Sequence, residues 1–150
     1  MKKRIKFITS FFYLGHSPYM PGTVGSLGGL IVYFLVYENT VLYAFSLLFL
    51  LMLGMMFTAE AERIYKRKDP KMIVIDEAAG MMLSLFFVPY SIPAVVIGFL
   101  LFRILDIIKI FPARRIEKIS GAFGIMFDDI IAAAYTNIIL QILTRVLNLF

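Results

Sequence analysis

Long stretches without a charged side chain constrain the fold of this chain more than any other feature. Val41 to Phe57 is an uncharged run of seventeen residues, and Ala78 to Phe102 is one of twenty-five. Ile130 to Leu149 contains a single charge, Arg145. A helix needs about 20 apolar residues, and at least about 17, to cross the hydrocarbon core of a bilayer. We therefore expect an all-α, multi-pass membrane helical bundle with short helices.

Composition agrees with lipid as the main solvent. Hydrophobic residues make up 61% of the 150 residues, whereas an ordinary soluble domain has about 45–50%. The length allows one domain, which we place at residues 1–150. The chain has no cysteine, which excludes disulfides, thiolate metal sites and cysteine-based phosphatase chemistry.

The basic residues predict the topology. A net charge of +5 could indicate a nucleic-acid partner, but the Lys and Arg residues are grouped between apolar runs. The groups lie from Lys2 to Lys6, from Arg63 to Lys71 and from Arg103 to Lys118. Such groups mark cytoplasmic loops by the positive-inside rule. We expect all three on the cytoplasmic side, and no nucleic-acid partner.

The run from Ala78 to Phe102 allows two interpretations. It could cross the membrane once as a kinked helix, or it could form a helical hairpin that turns between Pro89 and Pro93. Basic loops on both sides favour the hairpin, because a single crossing would leave one of them outside. Arms extended to about Ile73 and Lys109 would be about 24–26 Å long at 1.5 Å per residue.

A Gly/Pro-rich segment from Gly15 to Leu27 precedes the first long apolar run. Its two prolines and repeated glycines predict a structured loop at the cytoplasmic face rather than a regular helix. Thr23 and Ser26 would open the first long helix, where hydroxyl and backbone N–H groups could bind phosphate. Ser and Thr also cap helices routinely, so this feature alone is weak.

Acidic residues stand at the ends of the apolar runs. Asp128 and Asp129 precede the last run, and Asp76 and Glu77 precede the run that begins at Ala78. Adjacent carboxylates repel each other and are costly beside a membrane helix unless a cation binds them. Mg²⁺ and Mn²⁺ prefer such hard oxygen ligands. The alternative for Asp128 and Asp129 is an N-terminal helix cap, which the helix dipole also favours.

Basic side chains accompany these carboxylates. Arg103, Asp106 and Lys109 follow one another at spacings of three, so neighbours can interact on one helix face. Arg103 or Lys109 could neutralise a phosphate substrate beside bound metal ions. The alternative is a structural ion-pair ladder next to the lipid headgroups. His16, the only histidine, is expected to be a loop residue, and Arg145 an interfacial side chain.

Four motifs carry a resemblance to a known family. They are Pro18-x-x-Pro21-Gly22-Thr23-x-Gly25-Ser26-Leu27, Ile75-Asp76-Glu77-x-x-Gly80, Phe102-Arg103-x-x-Asp106-x-x-Lys109 and Gly124-Ile125-Met126-x-Asp128-Asp129. In this order, over nearly the whole chain, they resemble the phosphatidylglycerophosphatase A family. Two positions depart from its pattern: Ile110 stands where the family often has proline, and Ala133 where it commonly has glycine.

The resemblance implies a Mg²⁺-dependent enzyme of the bacterial cytoplasmic (inner) membrane with its active site at the cytoplasmic face. Such an enzyme removes the terminal phosphate of phosphatidylglycerophosphate, a phospholipid substrate in the bilayer, and leaves phosphatidylglycerol. The matching positions imply a catalytic set of Asp76, Glu77, Asp106, Asp128 and Asp129. Within it, the metal ligands would be Asp76, Glu77, Asp128 and Asp129, and the phosphate would be bound by Thr23, Ser26, Arg103 and Lys109.

Spacing alone allows either a metal-activated water or a carboxylate as the nucleophile, and we favour the water. Two other functions compete with this interpretation. A small ion transporter would carry charges in the middle of its helices, whereas these charges group at one edge. A non-catalytic membrane subunit would leave the convergence of carboxylates unexplained.

Overall fold

The computed structural model describes residues 1–116 and 118–149, and within them it contains helices and no strand. The helices are α1 (Lys2–Thr9), α2 (Pro21–Val36), α3 (Thr40–Tyr65), α4 (Ile75–Leu85), α5 (Ile92–Ile108), α6 (Ala113–Ile116) and α7 (Ala122–Gln141). A short 3₁₀ turn at Leu14–His16 contains the histidine, and a π-helical segment, Ile142–Val146, continues α7. The predicted all-α class is confirmed.

The short helix α4 lies at the centre of the molecule. Nine of its eleven residues are buried, and it packs against α2, α3, α5 and α7. Small residues allow this close packing. A Cβ atom added at Gly29 of α2 would lie 2.4 Å from the carbonyl oxygen of Ala78, and one added at Gly80 would lie 2.6 Å from the ring of Phe102. Polar groups on α4 must therefore find partners inside the bundle.

Helices α4 and α5 form the predicted hairpin rather than one continuous helix. α4 ends at Leu85 and α5 begins at Ile92, where the hydroxyl of Ser91 accepts a hydrogen bond from the Ala94 N–H at 3.2 Å. Gly98 of α5 faces Leu85, whereas Phe102 faces Gly80, so the two helices run antiparallel. The first arm is shorter than expected, because α4 spans only Ile75–Leu85 and residues 86–91 are not helical.

The two basic loops that flank this hairpin meet at one end of the bundle. The ammonium group of Lys68 donates a hydrogen bond to the carbonyl oxygen of Lys118 at 2.8 Å. Helices α2, α4 and α7 begin at this end, and α3 and α5 finish there. Fourteen of the fifteen Lys and Arg residues lie at this end, and Arg145 is the exception.

The expected loop from Gly15 to Leu27 is wrong in its second half, because α2 begins at Pro21. Proline suits the first position of a helix, where its missing N–H would have no intrahelical partner. The glycines that follow do not break the helix. They let it approach its neighbours, since a Cβ atom at Gly25 would lie 2.7 Å from the Cβ atom of Val74.

The expected start of the last helix at Ile130 is also wrong. α7 begins at Ala122, so Asp128 and Asp129 lie inside the helix, and its first turn contains no acidic residue. The interpretation of these residues as an N-terminal cap is thereby excluded, since capping acts within the first turn.

Within the described part of the chain, two helical segments are long and apolar enough to cross a membrane. They are Thr40–Tyr65 and Ala122–Val146. The first exposes a row of large apolar side chains: Leu42, Phe45, Leu48, Phe49, Met52 and Met56. Contiguous exposed apolar surface of this kind suits contact with lipid.

Candidate active site

Three carboxylates converge where the first turn of α4 meets the second turn of α7. One oxygen each from Asp76, Glu77 and Asp129 lies within 4.8 Å of the others. Asp76 is 7% exposed and Asp129 is 3% exposed. Burial of like charges so close together is unfavourable unless a cation or a proton compensates them.

The buried oxygens of this cluster have capacity for a ligand. Oδ1 of Asp76, Oε2 of Glu77 and Oδ2 of Asp129 are buried and have no hydrogen-bond partner among the described residues. Divalent cations such as Mg²⁺ and Mn²⁺ bind carboxylate oxygens and neutralise their repulsion. The three residues therefore fit a bound divalent cation.

Asp128 is next to the cluster but has a different partner. Successive helical residues are about 100° apart around the axis, and on α7 this rotation directs Asp128 to a different partner from Asp129, which joins the cluster. The buried carboxylate of Asp128 accepts a hydrogen bond from the ammonium group of Lys109. Of the four expected metal ligands, the structure thus brings three into one cluster and places Asp128 in an ion pair beside it.

Of the two ion pairs that the spacing on α5 allows, the structure contains the first. Nη1 of Arg103 lies 2.7 Å from Oδ2 of Asp106. The helix ends at Ile108, and Lys109 follows in a left-handed conformation with φ of 52°. The Nε atom of Arg103 is buried without a hydrogen-bond partner among the described residues. Asp106 thus holds the guanidinium group and leaves part of its donor capacity unused.

The first turn of α2 closes the site from the other side. A Cβ atom at Gly22 would lie 2.4 Å from Oε1 of Glu77 and 3.0 Å from Nη2 of Arg103. A larger residue here would therefore displace the ends of both side chains. The hydroxyl of Thr23 is buried without a partner among the described residues. Thr23 thus lines a cavity with unused hydrogen-bonding capacity.

Ser26 has a different position from the one that its motif suggests. It is 0% exposed, and its hydroxyl donates to the Gly22 carbonyl oxygen at 3.0 Å. Nη1 of Arg103 lies 3.5 Å from the same hydroxyl. Ser26 thus lies behind Arg103, where it can support the guanidinium group but does not line the cavity.

A cavity of about 540 Å³ opens beside these groups. Its walls include Thr23, Glu77 and Arg103, and also two residues that the sequence analysis did not select, Asp69 and Lys71. Both belong to the loop between α3 and α4 and were interpreted only as part of a charged loop. The sequence feature that could have identified Asp69 is an acidic residue followed by proline inside a Lys/Arg-rich segment.

Glu62 fixes this loop relative to α7. One of its oxygens accepts a hydrogen bond from the Asp69 N–H at 2.9 Å, and the other accepts one from the Gly121 N–H at 2.9 Å. Asp69 has a positive φ of 45°, a conformation that non-glycine residues keep only where the surroundings enforce it. A carboxylate on α3 thus links the edge of the cavity to the start of the helix that carries Asp129.

The sequence model of the phosphatidylglycerophosphatase A family matches residues 7–144. The chain belongs to this family. The matched span contains every residue of the cluster and its basic neighbours, so the resemblance carried by the four motifs is confirmed.

Individual relatives of this phosphatidylglycerophosphatase A family member are similar over most of their length. Phosphatidylglycerophosphatase A of Escherichia coli strain K12 is 34% identical over 124 residues, which is 81% of this chain and 72% of the relative. The Haemophilus influenzae protein of the same name is 35% identical over 123 residues, 79% and 76% of the two chains. A protein of Bacteroides thetaiotaomicron with the provisional name phosphatidylinositol-3-phosphatase is 33% identical over 140 residues, 87% of each chain. No solved structure matches the chain significantly.

Proposed function

We propose that the protein is a Mg²⁺-dependent phosphatase that converts phosphatidylglycerophosphate into phosphatidylglycerol and inorganic phosphate. The observation that carries the proposal is the cluster of Asp76, Glu77 and Asp129, with unused buried oxygens, beside the unused donor of Arg103 in a member of this family. Carboxylates suit a cation, and a guanidinium group suits a phosphate. A phosphomonoester held by both would lie between them.

Each residue then has a defined task. Asp76, Glu77 and Asp129 would hold the metal ion, which when bound supplies positive charge for a phosphate oxygen and lowers the pKa of a bound water. Arg103, held by Asp106, would donate from Nε to the phosphate, and Thr23 would donate its hydroxyl. In the overall reaction the oxygen of water bonds to phosphorus, the bond from phosphorus to the glycerol oxygen breaks, and that oxygen takes up a proton.

Lys109 and Asp128 would act together at the edge of the site. The ammonium group adds positive charge for an anionic substrate, and the buried carboxylate of Asp128 fixes its position. This role differs from the metal-ligand role that the motif implies for Asp128. Replacement of Asp128 should then raise KM, whereas replacement of a metal ligand should lower kcat.

We further propose a multi-pass protein of the bacterial cytoplasmic membrane with this site at the cytoplasmic face. The support is the asymmetry of charge, with fourteen of the fifteen Lys and Arg residues at the end of the bundle that contains the site. Single cysteines at Lys68 and Lys118 should both resist a membrane-impermeant thiol reagent in intact cells. Labelling of either one would contradict this topology.

A second substrate has support from one relative. The Bacteroides protein carries a name that specifies phosphatidylinositol 3-phosphate, which also presents a phosphomonoester on a lipid headgroup. The roles proposed above account for the phosphate and the cation, and none of them assigns a described residue to the alcohol part of the lipid. Both lipids therefore belong in the decisive assay.

That assay measures phosphate release by the purified protein from each lipid in mixed micelles. We expect release from phosphatidylglycerophosphate in Mg²⁺, none after chelation, and recovery when Mg²⁺ is restored. Glu60→Gln is a suitable control, because Glu60 pairs with Arg63 on the surface of α3 at 3.5 Å. If the protein hydrolyses phosphatidylinositol 3-phosphate and not phosphatidylglycerophosphate, the proposed substrate is wrong. Full activity in chelator would contradict the proposed dependence on Mg²⁺.

A further inference from the structure

A second pocket lies beside the site, between the end of α5 and the start of α7. Its volume is about 380 Å³, and it is lined by Lys109, Phe111, Arg114, Arg115 and Lys118. Four of these five residues are basic. We call it the basic pocket. Like charges at one place repel one another, so an anion bound among them would be favourable.

The walls of the basic pocket are attached to the rest of the fold. The guanidinium group of Arg115 lies 5.0 Å from the centre of the Phe111 ring, a distance that allows a cation–π interaction. The hydroxyl of Tyr135 on α7 donates to the carbonyl oxygen of Phe111 at 3.2 Å. The carbonyl oxygen of Lys118 accepts the hydrogen bond from Lys68. The pocket is therefore held from α7 and from the neighbouring basic loop.

Three of the four basic side chains in this pocket are exposed to solvent. Within residues 1–116 and 118–149, Arg114, Arg115 and Lys118 form no ion pair. Lys109 connects the pocket to the catalytic cluster, because it lines the pocket while its ammonium group binds Asp128. An anion in the pocket would therefore lie next to the phosphate proposed at the cluster.

The surroundings favour a lipid anion over a small soluble one. Phe111, which lines the pocket, is 63% exposed, so a large apolar side chain lies beside the positive charges. Basic pockets at the cytoplasmic ends of membrane helices bind anionic lipid headgroups in this way. A free phosphate ion would gain nothing from the apolar part of the surface.

We propose that the basic pocket binds the phosphodiester of an anionic phospholipid. This binding does not depend on the reaction proposed for the neighbouring cluster. The phosphodiester can belong to a separate lipid such as phosphatidylglycerol, or to the substrate itself, whose phosphomonoester would then lie at the cluster. The chemistry of recognition is the same in both cases.

The test compares two triple variants of the full chain that remove the same charge at the same end of the bundle. The pocket variant, Arg114→Ala/Arg115→Ala/Lys118→Ala, removes three cationic side chains from the lining of the basic pocket. The matched control on α1 is Lys2→Ala/Lys3→Ala/Arg4→Ala. Lys109 is left unchanged because it belongs to the proposed site. Each protein is purified from micelles that contain phosphatidylglycerol and phosphatidylcholine, and native mass spectrometry counts the retained lipids.

We expect the native chain to retain phosphatidylglycerol in preference to phosphatidylcholine. One basic residue near an anionic headgroup contributes a factor of about five to binding, so the loss of three should lower retention at least about tenfold. The control on α1 should lose less than about twofold, because its charges lie outside the pocket. A glutamine version of the pocket variant keeps the side-chain stems and replaces the alanine version if the latter does not fold.

Equal losses in the two triple variants would overturn the proposal, because general surface charge would then explain the binding. Displacement of phosphatidylglycerol by equimolar inorganic phosphate would also overturn it in favour of a small-anion site. Two other results support it and separate the sources of the phosphodiester. A raised KM with unchanged kcat assigns the pocket to the substrate's own phosphodiester, and lost retention with unchanged KM assigns it to a separate lipid.

Discussion

The two ends of helix α4 differ in whether their buried polar groups have hydrogen-bond partners. At its C-terminal end, Nδ2 of Asn137 donates to the carbonyl oxygens of Leu83, Ser84 and Phe86 at 3.3, 3.1 and 2.7 Å. The hydroxyl of Tyr43 donates to the Met82 carbonyl oxygen at 2.5 Å. At its N-terminal end, Asp76 and Glu77 each keep a buried oxygen without a partner among the described residues.

This difference in hydrogen bonding distinguishes polar groups that support the fold from polar groups with unused capacity to bind a ligand. The last carbonyl groups of a helix have no intrahelical partner, so donors from α3 and α7 complete the C-terminal end of α4. Buried polar groups without partners are rare in native proteins and are usually completed by water, an ion or a ligand. The N-terminal end therefore has the unused oxygens that the proposed cation would bind.

The largest effect is expected from Asp76→Asn. The amide preserves shape but removes the charge that a hard cation needs, so kcat/KM should fall by about 10²–10³-fold, as for other losses of a preorganised electrostatic contact. Mg²⁺ should raise the melting temperature of the native chain and not of the variant, because only a bound ligand stabilises. Thermal unfolding with and without Mg²⁺, beside kinetics, checks both. Full activity of the variant in chelator would show that the unused oxygens at the N-terminal end of α4 do not hold a catalytic metal ion.

Arg103→Ala should follow with a loss in kcat/KM of roughly 10- to 150-fold, because a charge-assisted hydrogen bond is worth about 1.5–3 kcal/mol. Arg103→Lys should recover only part of this, since lysine lacks the planar fork of donors. Addition of Asp106→Ala to Arg103→Ala should restore stability and leave the kinetic loss. Unchanged kinetics with lowered stability in Arg103→Ala would assign the residue to the scaffold.

At the other end, Asn137→Ala should lower the free energy of unfolding by about 1–3 kcal/mol, because three carbonyl oxygens lose their donor. The protein that remains folded should keep its kcat/KM, since Asn137 is remote from the carboxylates. Gln141→Ala is the matched control, because Gln141 makes one long hydrogen bond, 3.4 Å to Asn137. A kinetic loss in Asn137→Ala without a loss in stability would contradict the assignment.

The smallest effect is expected from Tyr43→Phe, which removes a single hydroxyl and keeps the ring. The loss of its bond to Met82 should cost about 0.5–1.5 kcal/mol of stability and leave kcat/KM unchanged. Tyr37→Phe should cost less, because the Tyr37 hydroxyl donates to the exposed side chain of Glu38 at 3.1 Å. Thermal unfolding of the two variants in parallel measures the difference. Equal stability losses would show that burial of the hydroxyl bond does not matter here.

Features that depend on neighbouring residues could be predicted. Uncharged runs of membrane length, basic residues between them and a reversal near Pro89 led to the helical class and to the hairpin. The starts of two helices could not be predicted. The prolines and glycines near Pro21 resemble helix breakers, and no charged or apolar pattern in the sequence marks the start of α7 at Ala122. In both places contacts with other helices outweigh weak local preferences.

The sequence, read with the positive-inside rule that favoured the hairpin, placed Asp76, Glu77, Asp106, Asp128 and Asp129 at one end of an α-helical bundle. Only the tertiary structure decided how they divide: Asp129 joins Asp76 and Glu77, whereas Asp128 pairs with Lys109. It also placed Ser26 behind Arg103 and brought Asp69 to the cavity. Which partner a side chain meets depends on how helices distant in sequence pack together, and that information is not local.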